Sequence, residues 1–169
     1  MLSAYKNYLS LYLILLSSIC IHAEENPYLF IDSNAQQMVS VLTENSDLFN
    51  SDRESYENKI KEIFEPMIDF RRVAASVMGK KYYLLSTKTQ RADFVEIFKD
   101  SLLDTYAETL AQWGDSTIST HFLDDQIDYE IKNIEVKQTL NTGSSQYPIS
   151  YKLRKNDGEW KIVNIIING

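Results

Sequence analysis

Residues 87–123 read TKTQRADFVEIFKDSLLDTYAETLAQWGDSTISTHFL, and within them the spacing of apolar side chains changes from that of a helix to that of a strand. Phe94, Phe98, Leu102, Tyr106 and Leu110 recur every four residues, flanked by Val95, Ile97 and Leu103. That is the wide stripe of an amphipathic helix. Thr87 and Gln90 stand three apart at its start, where a hydroxyl and an amide can satisfy the unpaired N–H groups of the first turn. The spacing predicts one long helix over 87–113, stopped by Gly114. From Ser116 onward the period is two, which is the alternation of a strand with one buried face.

Upstream, every apolar stripe is helical. Ser33 with Gln36, and Ser51 with Glu54, read as two further capping boxes. The first precedes Met38, Val41, Leu42, Leu48 and Phe49, and the second precedes Tyr56, Ile60, Ile63, Phe64 and Met67. Asp69 is placed to cap a third helix carrying Phe70, Val73, Ala74, Val77 and Met78, with a stop at Gly79. Downstream, strands are expected at 117–123, 129–140, 148–155 and 159–167. Asn156-Asp157-Gly158 is a tight-hairpin signal, residues 141–146 form a looser turn around Gly143, and a phase change predicts a bulge near Asn133. Short connections make the last three strands an antiparallel meander. Helices followed by strands, without βαβ alternation, specify the α+β class.

The N-terminus is read as an export signal. Lys6, the apolar run LSLYLILLSSI from Leu9 to Ile19, and Ala23 ahead of Glu24 and Glu25 form the basic, apolar and small-residue parts of a cleavable signal peptide over 1–23. The run is too short for the ~20 residues that span a bilayer. Acylation at Cys20 is the alternative, although Ile19 is bulkier than such sites accept. Removal of 23 of the 169 residues leaves 146, the size of one domain, without cysteine and so without disulfide or thiol chemistry. Lys6 is the only charged residue lost, so 16 basic residues face 24 acidic ones, a net of −8. That balance opposes nucleic acid, and anionic headgroups, as broad electrostatic partners.

The chemistry-bearing residues are sparse. His121 is the one histidine after 23, which cannot build a zinc site without cysteine, and no nucleophile-elbow motif accompanies it. The five glycines never cluster into a phosphate cradle. Asp124, Asp125, Asp128 and Glu130 lack the glycine and terminal glutamate of a calcium loop and read as a solvated turn. No cofactor or metal is expected. What the chain holds instead is aromatic and aliphatic bulk, with seven Phe, eleven Tyr and two Trp.

Pro66 with Asp69-Phe70, Val77-Met78-Gly79, Thr89-Gln90-Arg91 with Phe94 and Phe98, and Leu103-Asp104-Thr105-Tyr106-Ala107 form an ordered set of blocks. Tyr151 and Leu153, then Asp157-Gly158-Glu159-Trp160-Lys161, continue it. Together they resemble the MlaC-type phospholipid-binding family, also called the toluene-tolerance or ABC-transporter auxiliary family. The resemblance implies a periplasmic carrier that shuttles phospholipid between an outer-membrane lipoprotein complex and an inner-membrane ABC transporter complex. It further implies that the helices and a curved antiparallel sheet of about four strands enclose an apolar cavity for acyl chains. Two departures stand out: residues 24–169 form a single domain lacking the family's C-terminal helical extension, and Val163-Asn164 replaces an aromatic-acid pair.

The expected pocket residues follow from period and face. They are Val73 and Val77 on the third helix, Phe94, Phe98, Leu102 and Tyr106 on the long one, and Tyr151, Leu153, Trp160 and Ile162 on the strands. No catalytic residue is assigned. Two alternatives stay open: a cone-shaped α+β enzyme acting on a small apolar substrate, marked by a buried Asp near a Tyr, and a protein-interaction module whose interior is filled by its own side chains.

Overall fold

The computed structural model describes residues 26–111, 116–123, 128 and 130–167. The helices are α1 (Pro27–Glu44), α2 (Leu48–Ser51), α3 (Arg53–Met67), α4 (Phe70–Leu85) and α5 (Lys88–Leu110). The strands are β1 (Thr117–His121), β2 (Asn133–Asn141), β3 (Gln146–Asn156) and β4 (Glu159–Ile167), paired antiparallel in the order β1-β2-β3-β4. Helices first and one antiparallel sheet second is the α+β architecture that the change of period predicts. The stretch 1–23 expected to act as an export signal, and Trp113 and Gly114 at the expected end of the long helix, lie outside the described residues.

Two of the expected caps are in place. Thr87 Oγ1 accepts from Gln90 N at 3.2 Å while the Gln90 side chain accepts from Thr87 N at 2.9 Å, closing the capping box of α5. Asp69 accepts from Arg72 N at 3.0 Å and opens α4. The other two boxes are corrected. Helix α1 starts on Asn26, whose side-chain oxygen accepts from Tyr28 N and Leu29 N, with Pro27 where a missing N–H costs nothing. Ser33 is interior, and its hydroxyl donates back to Leu29 O at 2.8 Å. Asp52 rather than Ser51 caps α3, because its carboxylate reaches Ser55 N at 3.1 Å. Leu48 and Phe49 leave the face of α1 and form the separate turn α2, where Phe49 meets Tyr56 edge-on at 5.4 Å.

Gly79 breaks helical geometry at φ 70, ψ 160, where a side chain would be strained, yet helical turns resume over 80–85. The break is a kink rather than a stop. At the β3–β4 turn, Asp157 (φ 51) and Gly158 (φ 89) both occupy the left-handed region, which matches the right-handed twist of the strands. The bulge lies elsewhere than expected. β2 begins at Asn133, so Ile131 never enters the ladder, and Tyr129 is outside the described residues. The register shift falls between β3 and β4, where Lys152 faces Asn164 but Leu153 faces Ile162, leaving Val163 as the extra residue.

The core lies between the helical layer and one sheet face, with Ile31, Met38 and Leu42 of α1 and Tyr56, Ile60, Phe70, Leu103 and Ala107 of the later helices clustered with Val136, Leu153, Trp160 and Ile162. The α3–α4 corner is stitched directly to the sheet. Ile68 forms a parallel bridge with Ile162, Asp69 N donates to Ile162 O at 3.0 Å, and Lys161 Nζ donates to Pro66 O at 2.8 Å. Trp160 is 1% exposed, so Trp160→Ala should cost about 3–5 kcal/mol, whereas Thr87→Ala should cost about 1 kcal/mol through the lost cap. Guanidinium unfolding checks this ordering; equal midpoints for the two variants would contradict it.

Candidate functional site

An apolar pocket of about 70 Å³ lies between α1 and the inner sheet face. Helix α1 contributes Ile31, Ala35, Met38 and Leu42, which recur at the three- and four-residue spacing of one helical face. Ile63, Phe64 and Met67 of α3 and Tyr106 and Leu110 of α5 form a second wall. The floor is Leu140, Ile149, Tyr151 and Ile165, from alternate positions of β2, β3 and β4. Asn34 and Ser116 are the uncharged polar residues on the lining besides the two tyrosines. The expected apolar cavity is thus, in this structure, a small, partly open space, well below the ~300–1,000 Å³ of ordinary ligand pockets.

Polar contacts hold α1 against β1 and β2. Thr120 Oγ1 donates to Asp32 at 2.6 Å and accepts from Gln138 Nε2 at 2.8 Å, and Gln36 Nε2 donates to the Ile118 carbonyl at 3.1 Å. Gln138 is fully buried on the inward face, and its Oε1 has no partner. A buried acceptor left unpaired weakens the seam, because its lost hydration is not replaced.

The ten residues expected at the site separate in space. Tyr106 and Tyr151 line the pocket, with the Phe64 ring tilted against Tyr106 at 5.6 Å. Leu153, Trp160 and Ile162 are fully buried in the neighbouring core, and Val73, Phe98 and Leu102 pack against that core. Phe94 stacks on Phe98 at 6.0 Å and faces a wider cleft between α4 and α5, while Val77 is 59% exposed. The α1 and α3 lining was absent from the expected set. The stripe containing Met38 and Leu42 was visible in the sequence, but period marks a buried face without saying which sheet strand or helix it meets.

Burial raises the Tyr106 and Tyr151 hydroxyls above the ordinary tyrosine range; for Tyr151 the nearby Tyr106 adds to the effect. Both stay neutral at physiological pH and present weakly polar tips in an apolar space. His121 is remote, with Nε2 2.8 Å from Thr139 Oγ1 on the exposed side of the β1–β2 pair. Among the described residues no group of His, Cys, Asp or Glu could hold a metal, and no helix is long and apolar enough to cross a membrane. Residues 124–127, with Asp124 and Asp125 of the acidic run, lie outside the described residues.

The family model for the MlaC protein matches residues 32–169, which takes in α1 from Asp32 onward and all four strands. The chain belongs to the MlaC family. The toluene tolerance protein ttg2D of Pseudomonas putida is 28% identical over 149 residues, covering 87% of this chain and 67% of that protein. The intermembrane phospholipid transport system binding protein MlaC of Haemophilus influenzae is 23% identical over 146 residues, covering 85% of this chain and 68% of its own length. A phospholipid-binding protein of Ralstonia solanacearum, solved in complex with a phospholipid, has the same fold, with a TM-score of 0.74 at 20% identity over 86% of this chain and 79% of that one.

The raised tyrosines of this MlaC-family chain link stability to alkaline pH. A folded-state value above the unfolded value near 10 means the native state holds its phenolic protons longer. The stability they contribute is complete below about pH 10 and is lost as pH rises beyond it. Tyr151→Phe should therefore flatten the fall of the thermal midpoint above pH 10 relative to the native chain; parallel curves would contradict it.

Proposed function

We propose that this chain is a phospholipid-binding transport protein whose acyl-chain site is the pocket between α1, α3, α5 and the inner sheet face. The observation that carries the reading is that apolar lining, with two neutral tyrosines, Asn34 and Ser116 as its polar points, in a member of the MlaC family. A phospholipid pays about 0.8 kcal/mol for each methylene exposed to water, so two acyl chains face a barrier of order 20 kcal/mol when crossing it bare. An apolar sleeve removes most of that barrier. At about 70 Å³ the space admits chains only if α1 and the sheet separate, and the unpaired Gln138 acceptor beside their polar seam lowers the cost of parting.

The carrier works in the periplasm after export on the 1–23 signal, exchanging lipid with an outer-membrane lipoprotein complex and an inner-membrane ABC transporter complex. Both assignments rest on the family and on the signal-like sequence. Action by binding is supported by the relatives, which are named for phospholipid binding and transport.

Extraction of the purified protein into organic solvent followed by mass spectrometry tests the proposal. The native protein should release phospholipid. Ala35→Trp fills the pocket, and overpacking of about 1–3 kcal/mol should lower lipid content about five- to hundredfold. Ile97→Trp, at an exposed site on α5, should leave it unchanged. Native protein free of lipid and unable to take it up from labelled vesicles would end the reading.

A further inference from the structure

We propose that the 80–85 turn of α4, with the basic residues around it, is a docking surface for an anionic phospholipid bilayer. The turn reads Lys80, Lys81, Tyr82, Tyr83, Leu84, Leu85, and all six residues are exposed, with Tyr82 at 64%, Leu84 at 68% and Leu85 at 74%. Apart from the cations of Lys81 and Arg91 over the Tyr82 and Tyr83 rings, this turn leaves four large apolar or aromatic side chains exposed to solvent. The turn is nevertheless held in place. Ser86 Oγ donates to Tyr83 O at 3.0 Å, Arg91 donates to Ser86 O at 2.9 Å and its guanidinium lies 4.3 Å above the Tyr83 ring, and the Thr87 capping box follows directly.

Charge selects the occupant. The chain carries 24 acidic residues against 17 basic, yet residues 70–92 contain none of the former and six of the latter: Arg71, Arg72, Lys80, Lys81, Lys88 and Arg91. Arg72 pairs with Asp69, whereas among the described residues no carboxylate pairs with Lys80, Lys81 or Lys88. In space, Lys80 borders one groove with Arg71 and Arg72, and Lys88 and Arg91 border the next, with Asp69, Asp93 and Glu96 at their margins, so an acidic protein carries a locally cation-rich surface beside the turn, where its overall repulsion from anionic surfaces is weakest. The composition favours a bilayer over a protein partner. Protein interfaces are depleted in lysine, whereas lysine stems beside tyrosine and leucine match the headgroup boundary, with ammonium groups at the phosphates and rings and aliphatics just below.

This surface lies outside the acyl-chain pocket, so it can fail or hold independently of the carrier reading. Flotation with phosphatidylglycerol-containing vesicles against phosphatidylcholine vesicles tests it, using the native protein, Lys80→Gln with Lys81→Gln, and Leu84→Ser with Leu85→Ser. Native protein should bind the anionic vesicles, less so in high salt. Each lysine near the surface strengthens binding about fivefold, so the first variant should bind about 25-fold more weakly. The second should lose about tenfold or more through its lost apolar insertion. Both should keep native circular dichroism and co-purified lipid, because the four side chains are exposed, and Ala35→Trp should still float. Equal binding to both vesicle types, no binding, or native-like binding by both variants would overturn the proposal. So would a dimer on gel filtration that the same substitutions abolish, since the occupant would then be a second copy.

Discussion

The connection between the α3–α4 corner and β4 is the constraint on which the rest of the molecule depends. Ile68 and Asp69 pair with Ile162 through backbone groups, so the chain passes from one helix to the next as a short extra strand segment beside the sheet. Ile68 is extended there, and Asp69 uses its side chain to start α4 while its N–H is bonded to β4. Backbone pairing of this kind fixes position in a way apolar contact does not, because a hydrogen bond fails when its geometry is lost. With α3 and α4 anchored there, α5 packs across both, and Trp160 and Ile162 are sealed beneath the corner.

All of the long helices contribute to one buried cluster, but they meet the sheet by different means. On one side the core is apolar and closed, from Tyr56 and Ile60 to Leu153 and Trp160. On the other side α1 leans on β1 and β2 through the Asp32, Thr120 and Gln138 chain and the Gln36 amide, with apolar side chains between. The pocket and the closed core thus share one face of the sheet, at neighbouring positions along it.

Charge is likewise partitioned. Surface ion pairs such as Lys61 with Asp104, Lys99 with Glu65, and Arg53 with Glu57 and Glu108 knit α3 to α5 and to itself, and exposed pairs of this type add little to stability. The acid-free stretch through α4 has no such network. There Lys80 and Lys81 are exposed beside Tyr82, Leu84 and Leu85, while Arg91 is tucked over the Tyr83 ring.

Much of the fold was legible in the sequence because its signals are local. The four-residue march from Phe94 to Leu110, the Thr87 box, the Asp69 cap and the Asn156-Asp157-Gly158 turn each depend on neighbours a few residues away. The errors fell where local signals compete. Ser33 and Ser51 fit a capping box, but Asn26 before Pro27, and Asp52 beside Ser51, offered better caps. The pocket was legible only in Tyr106 and Tyr151, which line it on α5 and β3.

By itself the sequence determined an α+β chain with helices before strands, buried stripes on each element, and blocks shared with the MlaC family. Hydrophobic period and capping chemistry are properties of short segments, and they survive without knowledge of what each segment meets. Only the tertiary structure decided that α1 rather than α4 covers the pocket, that Trp160 and Ile162 serve the core, and that the 80–85 turn stands clear of the body. Those outcomes follow from the pairing of Ile68 and Asp69 with Ile162, a contact between residues more than ninety positions apart that no local pattern encodes.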